Sequence, residues 1–183
     1  MQTLHVSIWG GPSMGKTSVA QQVSGELKRR GYKADYVPEF AKELVRQGII
    51  HLYDQIEILA EQHRREKLCH GALDVVVTDS PLPLSLYHCS DEDKQALERI
   101  IDNRTRDWTI LNYFVERDLS NAYETEGRYE DVNGALAKHK GLLTILQRRD
   151  PGYTALATAE ASDFIVAEIV HRLSQLERFA ETA

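Results

Sequence analysis

At 183 residues the chain has the length of one domain, and its 42% apolar and 27% charged residues describe an ordinary globular protein with material for a core. Its 22 basic and 28 acidic residues leave a net charge of −6, which speaks against a protein whose main work is coating nucleic acid. No apolar run nears the ~20 residues of a membrane helix, the opening MQTLHVSIW has no secretory pattern, and Cys69 and Cys89 make no disulfide framework, so a reduced, cytoplasmic protein without membrane partners is expected.

Leu4–Trp9 is short, β-branched and followed at once by Gly10-Gly11-Pro12, which predicts a strand entering a turn. From Lys16 the period changes: Val19, Ala20, Val23 and Leu27 fall at helical spacing, and Arg29, Arg30 and Gly31 form a stop. Tyr32–Val37 reads as a second strand ended by Pro38, Glu39–Gln47 as a helix, and Asp54–Cys69 as a longer helix with Asp54 at its N-cap. Asp74–Thr78 has the all-apolar, β-branched centre of a strand buried on both faces. Ser90–Arg106 is a charged helix and Trp108–Val115 a fourth strand. A polar stretch follows over 116–131, then helix over Val132–Arg149, a short strand at Tyr153–Leu156 and a closing amphipathic helix at Ser162–Phe179. Strict alternation of strand and helix implies an α/β fold, a parallel sheet covered on both faces, with its ligand crevice at the carboxyl ends of the strands. No internal repeat or linker divides the chain, so residues 1–183 are read as a single domain. The seven histidines contain no HExxH or other close ligand pair, and a structural zinc site is not expected.

Gly10-Gly11-Pro12-Ser13-Met14-Gly15-Lys16-Thr17 matches GxxxxGK[ST], the P-loop or Walker A pattern, between a strand and a helix. The spacing serves a physical end. A tight turn points backbone N–H groups inward as an anion cradle, and the helix behind it adds the positive end of its dipole. Lys16 is expected on the β- and γ-phosphates of ATP and the Thr17 hydroxyl on Mg²⁺; Gly15 admits close approach of phosphate to backbone, and Ser18 completes the expected nucleotide-binding stretch. Asp79 ends the third strand in VVVTDSP, where a Walker B carboxylate would hold Mg²⁺; the competing reading is a helix cap formed by Asp79-Ser80-Pro81. Ser80 rather than glutamate follows Asp79, which leans away from hydrolysis and towards transfer to another acceptor.

Glu39 follows the second strand in ADYVPEF and is the candidate base for an acceptor hydroxyl, with Asp35, inside the strand, as the alternative. Residues 116–131 read as a lid whose Arg117 and Arg128 would offset charge on the transferring phosphoryl group. Of Gln62, Arg64 and Arg65 on the long helix, one arginine is a candidate for the acceptor or a phosphate, with a solvent salt bridge as the competing reading.

Together WGGPSMGKT, YVPEFAKEL, QHRREKL and VVVTDSPLPLSLY resemble the small P-loop kinases related to the nicotinamide riboside kinase domain, a group with many phage-encoded members. The resemblance runs from about His5 to the final helix. It implies a nucleoside- or nucleotide-kinase-like fold with a five-stranded parallel core, a lid, and ATP with Mg²⁺. Pro38-Glu39 reverses the Glu-Pro order of deoxynucleoside kinases, Ser80 stands where many relatives have arginine, and Ser13-Met14 stands where many have Gly-Ser. The expected activity is transfer of the ATP γ-phosphate to a hydroxyl of a nucleoside, nucleotide or similar small molecule. Two alternatives stand beside it. One is a nucleic-acid acceptor, a 5′ end or a hydroxymethylated base in phage DNA, favoured if Arg64, Arg65, Arg104 and Arg106 form a basic crevice. The other is an ATP-dependent switch or binding module with no acceptor.

Overall fold

A computed structural model describes residues 2–49, 54–116 and 132–181. Strand β1 (Leu4–Trp9) is buried along its whole length and runs into the glycine-rich turn, after which α1 (Lys16–Arg29) buries Val19, Ala20, Val23 and Leu27. Strand β2 (Ala34–Val37) starts two residues later than its composition predicts, because the Tyr32 N–H donates to the Leu27 carbonyl at 3.1 Å and closes the end of α1. Helices α2 (Phe40–Arg46) and α3 (Gln55–Cys69) follow, and the Asp54 carboxylate accepts from the Ile56 N–H at 2.8 Å as the expected cap. Strand β3 (Val75–Thr78) is fully buried. Beyond it lies an element with no periodic signature, a 3-10 turn over Leu82–Leu84 that passes into the four-residue α4 (Ser85–His88). Helix α5 (Asp91–Thr105), strand β4 (Thr109–Glu116), helix α6 (Val132–Arg149) and strand β5 (Thr154–Ala157) match their expected places within two residues. Helix α7 (Thr158–Glu181) begins four residues before the expected Ser162.

The five strands form one parallel sheet in the order β2-β3-β1-β4-β5. Alternation along β1 divides the core. Leu4, Val6 and Ile8 meet Val75, Val77 and Val115 and pack under Val23 and Leu27 of α1 and Ile165 and Ile169 of α7. On the other face Trp9 and Phe114 meet Leu146 of α6, and Leu59, Leu82, Leu86, Leu97 and Ile101 form a second cluster between the helices. Each such side chain contributes roughly 1.5–3 kcal/mol on burial, so the two layers hold the carboxyl ends of β1, β2 and β3 in fixed relation. Those ends carry the site.

Candidate active site

The turn after β1 keeps the conformation an anion cradle needs. Gly10 has φ 145 and Gly15 φ 73, and a Cβ on either would come within 2.9 Å of a neighbour, the Val115 carbonyl for Gly10 and the Thr158 methyl for Gly15. Ser13 holds φ 67, where an L-residue costs roughly 1–2 kcal/mol relative to glycine. The loop therefore holds Ser13 in left-handed geometry and carries strain at the place where it would meet a ligand. The Lys16 ammonium donates to the Gly11 carbonyl at 2.7 Å. Burial brings this ammonium down to about 8; the carboxylates of Glu39 and Asp79 work against that change, and Lys42 and Lys138 work with it.

Asp79 is fully buried at the end of β3 and receives side chains from three elements. The Thr17 hydroxyl donates to its Oδ2 in a short hydrogen bond, the Tyr36 hydroxyl donates to Oδ1 at 2.8 Å, and the Lys42 ammonium donates to Oδ2 at 2.8 Å. Burial opposes ionisation of Asp79, but the Lys42 charge and these three hydrogen bonds outweigh it and hold the carboxyl below its ordinary range. Lys42 shows the mirror effect: burial disfavours its charge, Glu39 and Asp79 favour it, and the net result is upward. The Tyr36 phenol is pushed far above its ordinary value by burial and by Asp79, so it remains a proton donor. None of the three contacts on Asp79 is a helix cap.

Thr17 Oγ1 and the Asp79 carboxylate are hard oxygen donors converging on one point, and a cation already stands there, since Lys42 Nζ is also 2.9 Å from Thr17 Oγ1. The pair therefore fits Mg²⁺. Glu39 lies at the N-terminus of α2, with Oε2 3.2 Å from Lys42 Nζ. Asp35 is exposed and paired with Lys28 at 3.0 Å, so of the two candidate bases only Glu39 reaches the cleft.

That cleft has a volume of about 660 Å³, within the ~300–1,000 Å³ of small-molecule sites. The P-loop and Asp79 form one end. The rest extends between α2, α3 and the 3-10 turn over a largely apolar wall that includes Val45, Ile58, Leu82, Leu84 and Leu142, with Lys138 also on the lining. Gln62 positions α2 against it: its amide oxygen accepts from the Phe40 N–H at 3.1 Å, satisfying an orphan donor of the first turn, while its nitrogen donates to Glu66 at 3.1 Å. Arg65 clamps the same helix through Glu43, at 2.5 and 2.7 Å, and stacks over the Phe40 ring.

The structure brings together Gly10, Pro12, Ser13, Gly15, Lys16, Thr17, Ser18, Glu39 and Asp79 on the cleft. Gly11 and Met14 belong to the loop behind it: the Gly11 N–H donates to His139 Nδ1 at 3.2 Å, and the Thr158 hydroxyl lies 3.3 Å from the Met14 carbonyl. Of the expected lid over 116–131 only Glu116 is described, as the last residue of β4; the rest, with Arg117 and Arg128, lies outside the described residues. Arg64 and Arg65 pair with Glu61 and Glu43 rather than with the cleft, and Arg104 and Arg106 do not line it either, so no basic crevice forms from these four. Tyr36 and Lys42 lie within the YVPEFAKEL stretch, yet neither they nor His139 stand among the expected site residues. Within that stretch a local signal for Lys42 is its i,i+3 spacing from Glu39. Among the described residues no cluster of three His, Cys, Asp or Glu could hold a metal, and no helix is long and apolar enough to cross a membrane.

A parallel sheet with a phosphate loop after its central strand, and a buried aspartate after the neighbouring strand, defines a P-loop nucleotide-binding protein. Residues 5–162 match the model of a family described as an AAA domain, and the chain belongs to that family. No curated protein matches the sequence. Solved structures share the fold. NadR protein in complex with NR superposes with a TM-score of 0.59 at 18% identity, over 85% of this chain and 43% of that one, so the match spans less than half of NadR. A gluconokinase from Sinorhizobium meliloti 1021 gives 0.51 at 18% identity, covering 98% of this chain and 97% of its own. APE1195 gives 0.51 at 14%, covering 93% and 96%.

Proposed function

We propose that the protein is an ATP- and Mg²⁺-dependent kinase that moves the γ-phosphoryl group to a hydroxyl of a nucleoside, nucleotide or related small molecule. The observation that carries this reading is the extension of the cleft beyond the P-loop, with Glu39 on its wall. A protein that only bound or hydrolysed ATP would need no largely apolar extension of the cleft past the P-loop. The names of two fold neighbours, a protein complexed with NR and a gluconokinase, support a small acceptor. A polynucleotide acceptor loses its main support with the carboxylate pairing of Arg64 and Arg65.

In this reading the amides of the loop receive the phosphate chain, and the Lys16 ammonium exchanges the Gly11 carbonyl for β- and γ-phosphate oxygens. Mg²⁺ held by Thr17 and Asp79 would neutralise charge on those oxygens. Glu39 accepts the proton of the acceptor hydroxyl as that oxygen forms its bond to the γ-phosphorus. The bond from the γ-phosphorus to the bridging oxygen breaks, and ADP carries away the electron pair. Arg117 and Arg128 are the proposed cations for the charge that develops on the equatorial oxygens. The test is γ-labelled ATP with Mg²⁺, offered to a panel of nucleosides, nucleotides, sugar acids and oligonucleotides, with Lys16→Ala as the control that should lose transfer. Label on a small acceptor is expected. Label on oligonucleotide alone would move the acceptor to nucleic acid, and label found only as free phosphate would replace the kinase with a switch.

A further inference from the structure

Lys42 occupies the oxygens of Thr17 and Asp79 that would hold a magnesium ion. Its ammonium is 2.8 Å from Asp79 Oδ2, 2.9 Å from Thr17 Oγ1 and 3.2 Å from Glu39 Oε2, so three oxygens from three elements surround a charge that the chain supplies itself. Magnesium binds oxygen at about 2.1 Å. A metal held by Thr17 and Asp79 would draw on the same two oxygens that this ammonium now occupies. The two cations would compete for those oxygens.

We propose that Lys42 is a tethered counter-ion that fills the metal seat when no nucleotide is bound and is displaced when the metal arrives with nucleotide. This rests on the reading of the P-loop as a metal–nucleotide site. Two features make the exchange cheap in conformational terms. The Lys42 side chain is 42% exposed and sits on a flexible four-carbon stem at the first turn of α2, so its head can leave without moving backbone. A second anion also waits within reach: Glu39, one turn earlier on the same helix, keeps the ammonium paired after Asp79 has been handed to the metal. Asp79, fully buried, is thus never left without a cation. The consequence is that lysine and metal compete, and the protein binds bare divalent ion weakly until the phosphates add their own charge to the seat.

The probe is Mn²⁺ in the absence of nucleotide, added to the full chain, with free ion read by electron paramagnetic resonance. Lys42→Met should bind one Mn²⁺ about tenfold or more tighter than the wild type, and a further Asp79→Asn change should abolish the gain. Lys42→Gln removes the charge but keeps a hydrogen-bonding head for Asp79, so it serves if the methionine variant does not fold; it should show the same tightening. Equal or weaker Mn²⁺ binding by the folded variants overturns the proposal. A wild-type arm with an uncleavable ATP analogue and Mg²⁺ separates the two levels of argument. If the wild type binds the metal–nucleotide but the variants bind Mn²⁺ no tighter, only the role of Lys42 falls. If the wild type binds neither nucleotide nor metal, the reading of the site falls with it.

Discussion

Replacing Glu66 by glutamine makes the stability of the protein less dependent on pH, and the effect can be worked from its surroundings. Glu66 lies buried on the inner face of α3, held by the Gln62 amide at 3.1 Å. The facing group on β1 is His5, whose Nδ1 is 4.0 Å from Glu66 Oε2 and has no hydrogen-bond partner. Burial pushes the Glu66 carboxyl up to about 8, against the pull of the Gln62 hydrogen bond, and burial with His70 alongside pushes His5 down to about 3. At pH 7 the two are neutral groups and not an ion pair. The folded state therefore holds a proton on Glu66 that the unfolded chain releases near its ordinary value. That contribution is fully present below about 4.5 and is lost as pH rises through about 8. His5 has the opposite sign below about 6.5, where the unfolded chain binds the extra proton, so the clean window is pH 6.5 to 8. Across it one proton is worth about 1.4 kcal/mol per pH unit, or roughly 1.5 kcal/mol in total after rounding off near the upper end. Glu66→Gln keeps the shape, removes the titration and offers an N–H to His5 Nδ1. Its stability should gain on the wild type by about 1.5 kcal/mol between pH 6.5 and 8, a relative rise in melting temperature of roughly 3–6 °C for a chain of this size. Thermal unfolding of both proteins at four pH values measures it. Parallel curves for the two across that window would refute the assignment of a buried, protonated carboxyl.

Gly15→Ala should destabilise the protein by roughly 1–3 kcal/mol, because alanine pays for φ 73 and its methyl meets Thr158 at 2.9 Å; urea unfolding reads the loss, and nucleotide binding should weaken with it. Gln62→Leu leaves the Phe40 N–H and the Glu66 carboxyl without their partner, at about 1–3 kcal/mol. Because the same cap sets the start of α2, turnover should fall in that variant while the Lys16 end of the site still binds nucleotide, which calorimetry and a transfer assay distinguish. Glu39→Gln should lower turnover by about 10²–10⁴-fold with little change in ATP-analogue affinity. Near-normal turnover there would remove Glu39 from the proton transfer.

The first strand, the phosphate loop and α1 are legible in the sequence because each depends on local signals: a β-branched run, a fixed glycine spacing and a 3.6-residue period that all agree. Asp79 is legible for the same reason, as the first charged residue after a β-branched strand. What escapes is set by contacts distant in the chain. The order β2-β3-β1-β4-β5 depends on which strands meet, and no periodicity encodes it. Lys42 reads as an ordinary surface lysine until folding brings its tip to Thr17, 25 residues away, and to Asp79, 37 away. The 3-10 turn, which contains Pro83, and α4 after it have three and four residues, too few positions to show a period. The start of α7 is missed because β5 passes into it at Ala157-Thr158 with no turn residue between them to mark the change. Its first residue instead has a tertiary task, with the Thr158 hydroxyl set 3.1 Å from the Glu116 carbonyl and close to that of Met14.

The sheet ends on both sides in strands of four residues, β2 and β5. A parallel sheet leaves its outermost backbone groups ready to recruit a foreign chain, and long outer strands are how soluble proteins come to aggregate edge to edge. Here each border offers half the template that the eight-residue β4 would, and the β2 border adds the charged Asp35–Lys28 couple beside it. The longest strand is kept inside, and the protein meets its neighbours along its shortest seams.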